Sequence, residues 1–217
     1  MNHSPVYYPA FITLTGKRCV VFGGGEVALR KVQGLVESKA DVTVISPDLC
    51  AELAAMKERG TIMAVSREYK PGDLHGVFLA IAATDDKKVN ADIGREAHQN
   101  GVLINVVDTP ELCDFIVPSY FRRGDVTIAI STGGKSPALA RKIRTRLEDE
   151  FGAEYSHLAD LIGDVRTELK EHGARADADT WQSALDLDRL LALLKQDKVE
   201  QAKDLLRSAL KTESRGK

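Results

Sequence analysis

The chain has 217 residues, 43% of them hydrophobic, which is enough for a core in one or two domains. A formal charge of −2 gives no electrostatic reason to expect nucleic acid. No apolar run reaches membrane length and no charged-then-apolar leader opens the chain, so a cytoplasmic protein without a membrane partner is expected. The three cysteines, Cys19, Cys50 and Cys113, are far apart and lack C-x-x-C spacing, which favours small packed thiols over disulfides or zinc.

Residues 18–22 predict an apolar strand, and apolar residues from Glu26 to Ser38 recur at helical period. Val42–Ile45 predicts a second strand, Leu49–Arg59 a helix, and Thr61–Val65 a third strand. Val77–Ala83 is a continuous apolar run, as in a strand buried on both faces. Asp86–Asn100 predicts a helix stopped by Gly101, and Val102–Val107 the next strand. This alternation is that of a parallel βαβ sheet.

The rhythm changes after Asp108. Phe115–Val117 and Val126–Ile130 predict two strands of a hairpin linked through Arg122-Arg123-Gly124-Asp125. Ser131-Thr132-Gly133-Gly134-Lys135-Ser136-Pro137 then leads into a helix from Ala138 to about Phe151, with Ser136 as N-cap and Pro137 as first helical residue. Helices are predicted over Tyr155–Glu171, Trp181–Leu194 and Val199–Leu210, with a polar break at Gly173–Asp179 and a frayed end over Thr212–Lys217.

Between the first strand and helix lies Gly23-Gly24-Gly25-Glu26-Val27-Ala28, with the spacing G-x-G-x-x-A. Gly23 permits the turn, Gly25 allows close approach of phosphates, and Ala28 lets helix and strand pack. The helix N-terminus adds unpaired N–H groups and a positive dipole end. An ordinary tight β–α turn is the alternative; the flanking strand and helix favour a dinucleotide. The second strand ends in Ser46-Pro47-Asp48, where such a fold meets the adenosine ribose. Asp48 either accepts from a ribose hydroxyl or caps the helix after it. The absence of an adjacent arginine favours NAD over NADP.

Ala83-Thr84-Asp85 and Asn105-Val106-Val107-Asp108 end the next two long strands, at the edge where ligands bind in open α/β sheets. Thr84 and Asp85 either line the site or cap the next helix. Asp108 either accepts a proton beside a nicotinamide or serves the turn. The loop of Ser131, Thr132, Gly133, Lys135 and Ser136 is aimed at a helix start, with Arg141, Arg122 and Arg123 nearby in sequence. This is either a solvated basic face or a surface for a substrate with several carboxylates. The histidines fall on separate predicted elements, so no metal site is expected.

Over about its first 150 residues the chain resembles the precorrin-2 dehydrogenases of sirohaem synthesis. The resemblance rests on Tyr8-Pro9 with Gly16-Lys17, Val21–Val27, Lys31, Val42–Pro47, Ala82–Asp86 with Val89-Asn90, Asn105–Asp108, Cys113–Pro118 and Ile130–Arg141. It implies an α/β protein with a Rossmann domain at 1–112, a dimerisation and tetrapyrrole-binding region at 113–150, and an all-helical domain at 151–217. It implies NAD-dependent oxidation of precorrin-2, a polycarboxylated tetrapyrrole, to sirohydrochlorin, by a homodimer with Asp108 as the key aspartate. Some family members also insert ferrous iron with the same cleft; others do not. The family's phosphorylatable loop serine aligns with Thr132. The last helices match only as helices. The competing expectation is an NAD(H)-sensing regulator or assembly protein, though the leucine-rich, mixed-charge C-terminus is not a basic recognition helix.

Overall fold

The computed structural model describes residues 6–215. Five strands form one parallel sheet: β1 (Arg18–Phe22), β2 (Asp41–Ile45), β3 (Met63–Val65), β4 (Leu79–Ala82) and β5 (Leu103–Val106), in the order β3-β2-β1-β4-β5. Strand order therefore reverses between β1 and β4, the topological switch point at which open α/β sheets bind ligands.

Alternation along β1 sends Cys19 and Val21 to one face and Val20 and Phe22 to the other. Both faces are covered, so the strand reads as a continuous apolar run. On the first face α1 (Glu26–Glu37) and α2 (Ala51–Glu58) pack Ala28, Leu29, Val32, Leu35, Leu53 and Met56 into the core. On the second, α3 (Lys87–Asn100) buries Ile93 and Ala97. Asp86 caps α3 by accepting from Lys88 N and Val89 N, so capping falls to neither Thr84 nor Asp85. Gly101 ends that helix in the left-handed region.

The first hairpin strand lies later than expected. Phe115–Val117 is not a strand; β6 is Ser119–Arg123 and pairs antiparallel with β7 (Val126–Ile130), leaving only Gly124-Asp125 as the turn. Residues 113–115 instead lie along the outer edge of β5. They are held by one backbone bond, Asp114 N to Ile104 O at 2.9 Å, and by side chains. A ladder cannot continue through Pro118, which has no N–H.

The chain divides into two compact units, one ending at Val117 and the other starting at Pro118. In the second, α4 (Pro137–Glu150) packs against the hairpin, with Ser136 accepting from Leu139 N as its cap and Pro137 as first helical residue. Then come α5 (Glu154–Glu171), α6 (Ala178–Ala184), α7 (Leu187–Leu194) and α8 (Val199–Arg215) around a leucine-rich core. The single helix expected over 181–194 is two. Leu185 leaves helical geometry, and Asp186 caps a new helix by accepting from Arg189 N. The helix expected to stop at Leu210 continues through Arg215; the last part of the expected frayed end, 216–217, lies outside the described residues.

Candidate functional site

Gly23 follows β1 with φ +114, a conformation that L side chains rarely adopt, and a Cβ there would collide with the Ala83 carbonyl. Gly24 backs onto the loop after β2. Its carbonyl accepts from Cys50 N at 2.8 Å, and a Cβ on it would stand 2.8 Å from Ser46 Oγ. Gly25 is different: it caps α1 in extended geometry, it is exposed, and a Cβ on it meets nothing within 4 Å. Two glycines thus fit the chain to itself, while the third borders open space at the helix start. Glu26 and Val27, in the first turn of α1, are exposed beside it. Ala28 is fully buried, consistent with close helix–strand packing. A bare, exposed backbone at a helix start, with no side-chain cap on its first-turn N–H groups, fits a dinucleotide pyrophosphate.

The other expected cofactor residues take distinct places. Ser46 is buried and donates to Asp48 O at 2.7 Å, fixing the bend after β2. Pro47 and Asp48 are exposed. The helix start after them falls at Cys50 without a side-chain cap, so the capping alternative for Asp48 is not realised. After β4, Ala83 and Thr84 are half-buried and Asp85 is exposed. Thr84 is locked by Asn90, whose Oδ1 accepts from Thr84 Oγ1 at 2.7 Å and whose Nδ2 donates to Thr84 O at 2.9 Å. Residue type alone does not assign Asn90 this role. Its signal was a polar residue in the buried Asn90, Ile93, Gly94, Ala97 stripe of α3.

Asn105 is buried, and its Nδ2 donates to Phe115 O at 3.0 Å. Val106 is buried at the end of β5. Asp108, two residues on, is exposed with φ +58. It is not a helix cap: the short 3-10 turn Pro110–Leu112 begins after Thr109. Lys31 of α1 is half-buried, and burial pulls its ammonium below the usual lysine range; the Asp108 carboxylate acts against this. The glycine turn, the Thr84 bend and Asp108 follow β1, β4 and β5, so all three sit on the carboxyl edge of the sheet.

The substrate candidates lie in the second unit. Lys135 and Arg141 are exposed, and their side chains have no ion-pair or hydrogen-bond partner among the described residues. Pro137, Ala138, Arg141, Lys142 and Thr145 line an open concavity of about 540 Å³ at the start of α4. Gly133 N is bonded to Ser131 Oγ, and Thr132 Oγ1 accepts from Ser136 N and donates to Ser136 O, so the loop is closed on itself. Arg122 lies over the Tyr120 ring. Arg123 is committed elsewhere: Nε donates to Phe151 O at 2.9 Å and Nη2 to Glu148 O at 3.2 Å.

Residues 10–119 match the family model described as "Putative NAD(P)-binding". The chain belongs to this NAD(P)-binding family. Residues 123–150 match a second model, "Sirohaem biosynthesis protein central". The NAD(P)-binding match spans the sheet and its glycine turn; the second covers the hairpin turn, β7 and α4. Among relatives, the siroheme synthase of Thioalkalivibrio sulfidiphilus is 44% identical over 164 residues, 76% of this chain and 34% of that protein. The siroheme synthase of Methylococcus capsulatus is 40% identical over 182 residues, 83% of this chain and 38% of that protein. The chain therefore spans little more than a third of the length of these relatives. The fold also matches a solved structure, "SirC, precorrin-2 dehydrogenase", with a TM-score of 0.68 and 24% identity over 96% of this chain and 100% of that one.

Proposed function

We propose that the protein oxidises precorrin-2 to sirohydrochlorin with NAD as hydride acceptor. The observation that carries this reading is the placement of an open glycine turn and an exposed aspartate on one carboxyl edge of a parallel sheet, within the NAD(P)-binding family. Similarity to siroheme synthases and to the SirC fold supports the substrate.

Bound NAD would supply the hydride-accepting nicotinamide. The Gly25 backbone and first-turn N–H groups of α1 would hold the pyrophosphate. Asp48, exposed and without an adjacent arginine, would accept from the ribose hydroxyls and repel a 2′-phosphate, favouring NAD over NADP. The tetrapyrrole loses a hydride, with its electron pair, from one carbon and a proton from a neighbouring atom. The Asp108 carboxylate takes that proton. Arg122, Lys135 and Arg141 would bind the substrate carboxylates.

The reading includes a cytoplasmic homodimer joined through the 113–150 region. Support comes from α4, where Leu139 and Ile143 are 51% and 37% exposed. No helix among the described residues is long and apolar enough to cross a membrane.

The test is to incubate the protein with precorrin-2 and NAD and follow NADH and the sirohydrochlorin spectrum together. Both products should rise in equal amounts. NAD binding without either product would leave a sensor or assembly protein instead.

A further inference from the structure

The site described above gives the Cys113 thiol no task, yet its surroundings are specific. Val106 N donates to Cys113 Sγ at 3.1 Å. The thiol proton faces two carbonyls, Val106 O at 3.2 Å and Thr109 O at 3.4 Å. Asn105 Nδ2 approaches the same sulfur at 3.6 Å. These groups bracket Asp108 on both sides in sequence. The turn itself is closed by one backbone bond, Thr109 N to Val106 O at 3.3 Å. Asp108 within it holds φ +58, a left-handed conformation that is uncommon outside glycine but that aspartate adopts more readily than most residues.

We propose that Cys113 is a positioning residue for the reaction: its thiol ties Val106 to Thr109 and so fixes the turn that presents Asp108. The proposal rests on the reading of Asp108 as the base. Sulfur is a weak donor and a weak acceptor, so no single contact dominates. The strength lies in geometry, because one side chain accepts from the Val106 N–H and shares its single proton between the Val106 and Thr109 carbonyls. A serine retains both capacities; alanine and valine retain neither. Burial raises the thiol above the usual cysteine range, so it stays protonated and keeps a proton to donate. A disulfide role is foreign to this arrangement, as Cys19, Cys50 and Cys113 are all free.

The test compares Cys113→Ala, Cys113→Val and Cys113→Ser with Asp108→Asn, each in the full chain, in the precorrin-2 and NAD assay. A reacting group displaced by about 1 Å loses on the order of a hundredfold in rate. Cys113→Ala and Cys113→Val should therefore lose about ten- to a hundredfold in kcat, with the KM for NAD unchanged, and Cys113→Ser should recover most of the loss. Wild-type kcat in the folded alanine or valine variant overturns the proposal. So does a serine variant as slow as alanine, or a fall in kcat matched by lost NAD affinity. Failure of both truncated variants to fold overturns it too, since the thiol would then carry the fold rather than the turn. The two readings separate cleanly. A fast Asp108→Asn removes the base and the proposal together, whereas a slow Asp108→Asn beside an unimpaired Cys113→Ala removes only the proposal.

Discussion

Gly24 and Asp48 are pressed together: a side chain on Gly24 would overlap the Asp48 carbonyl oxygen, while one on Gly25 would meet nothing. Adjacent glycines thus differ: the first fits the chain to itself, and the second borders open space. Gly25→Leu should still fold, because its extended backbone admits any residue and its side chain enters open space; it should lose no more than the roughly 1 kcal/mol typical of a poorer N-cap. If the pyrophosphate lies there as proposed, the leucine takes its place, and NAD titration should show affinity lost by at least about tenfold, or 1.4 kcal/mol. Gly24→Ala should do the reverse and lower the melting temperature. Full NAD affinity in folded Gly25→Leu would remove the glycine turn from the binding site.

The basic residues of the second unit divide in the same way. Arg123 reaches Phe151 O and Glu148 O across more than twenty residues of chain, satisfying carbonyls at the end of α4. A hydrogen bond from a charged donor contributes roughly 1.5–3 kcal/mol, so Arg123→Ala should destabilise the protein by about 2 kcal/mol in urea melts. Arg141→Ala and Lys135→Ala should leave those melts unchanged. They should instead raise the KM for precorrin-2 and flatten its salt dependence, since exposed charge contacts are screened by salt. A salt-insensitive KM in the wild type would argue against charge recognition by this face.

These divisions mark what the sequence could tell. The strand–glycine–helix unit was legible because its signal is local: an apolar run, bare backbone, then helical period. The role of Arg123 was not, because its partners lie 25 and 28 residues on and only the packing of α4 against β6 brings them near. The sequence predicts the hairpin, but its first strand lies four residues later than the sequence suggests, at Ser119–Arg123. Phe115-Ile116-Val117 has the β-branched, aromatic look of a strand, yet the β5 N–H groups beside it are taken by the Cys113 and Asp114 side chains, and the Phe115 carbonyl by the Asn105 side chain. The Cys113 thiol was equally hidden, since its partners are backbone groups that nothing in residue type reveals.

The loop between β3 and β4 should respond to acid. Arg67 grips both Asp73 oxygens at 2.7 Å, and this holds the Asp73 carboxyl below its ordinary 3.8. A carboxylate depressed in the folded state contributes stability that is complete above 3.8 and lost as pH falls through its lower folded value. Urea melts below about pH 4 should therefore show a loss that Asp73→Asn lacks, because the variant has nothing to protonate. Parallel acid limbs in the two proteins would show that the pair does not contribute.

Asp108→Asn isolates the chemistry better than any other substitution in this site. Asp108 holds φ +58, and asparagine tolerates the left-handed region about as well as aspartate does. The variant should therefore keep the turn, the fold and NAD affinity while losing the proton acceptor. Asp108→Ala is the poorer probe: alanine in this conformation costs roughly 1–2 kcal/mol in strain, so its effects mix backbone with base. A positioned base contributes on the order of a hundred- to ten-thousandfold, and kcat of Asp108→Asn should fall by that much with the KM for NAD unchanged. Activity returning with added formate or acetate would identify the missing group as a carboxylate acting on a proton. If Asp108→Asn makes NADH at the wild-type rate, Asp108 belongs to the turn alone, and the base must be sought at Asp85, which follows the neighbouring strand β4 at the same edge of the sheet.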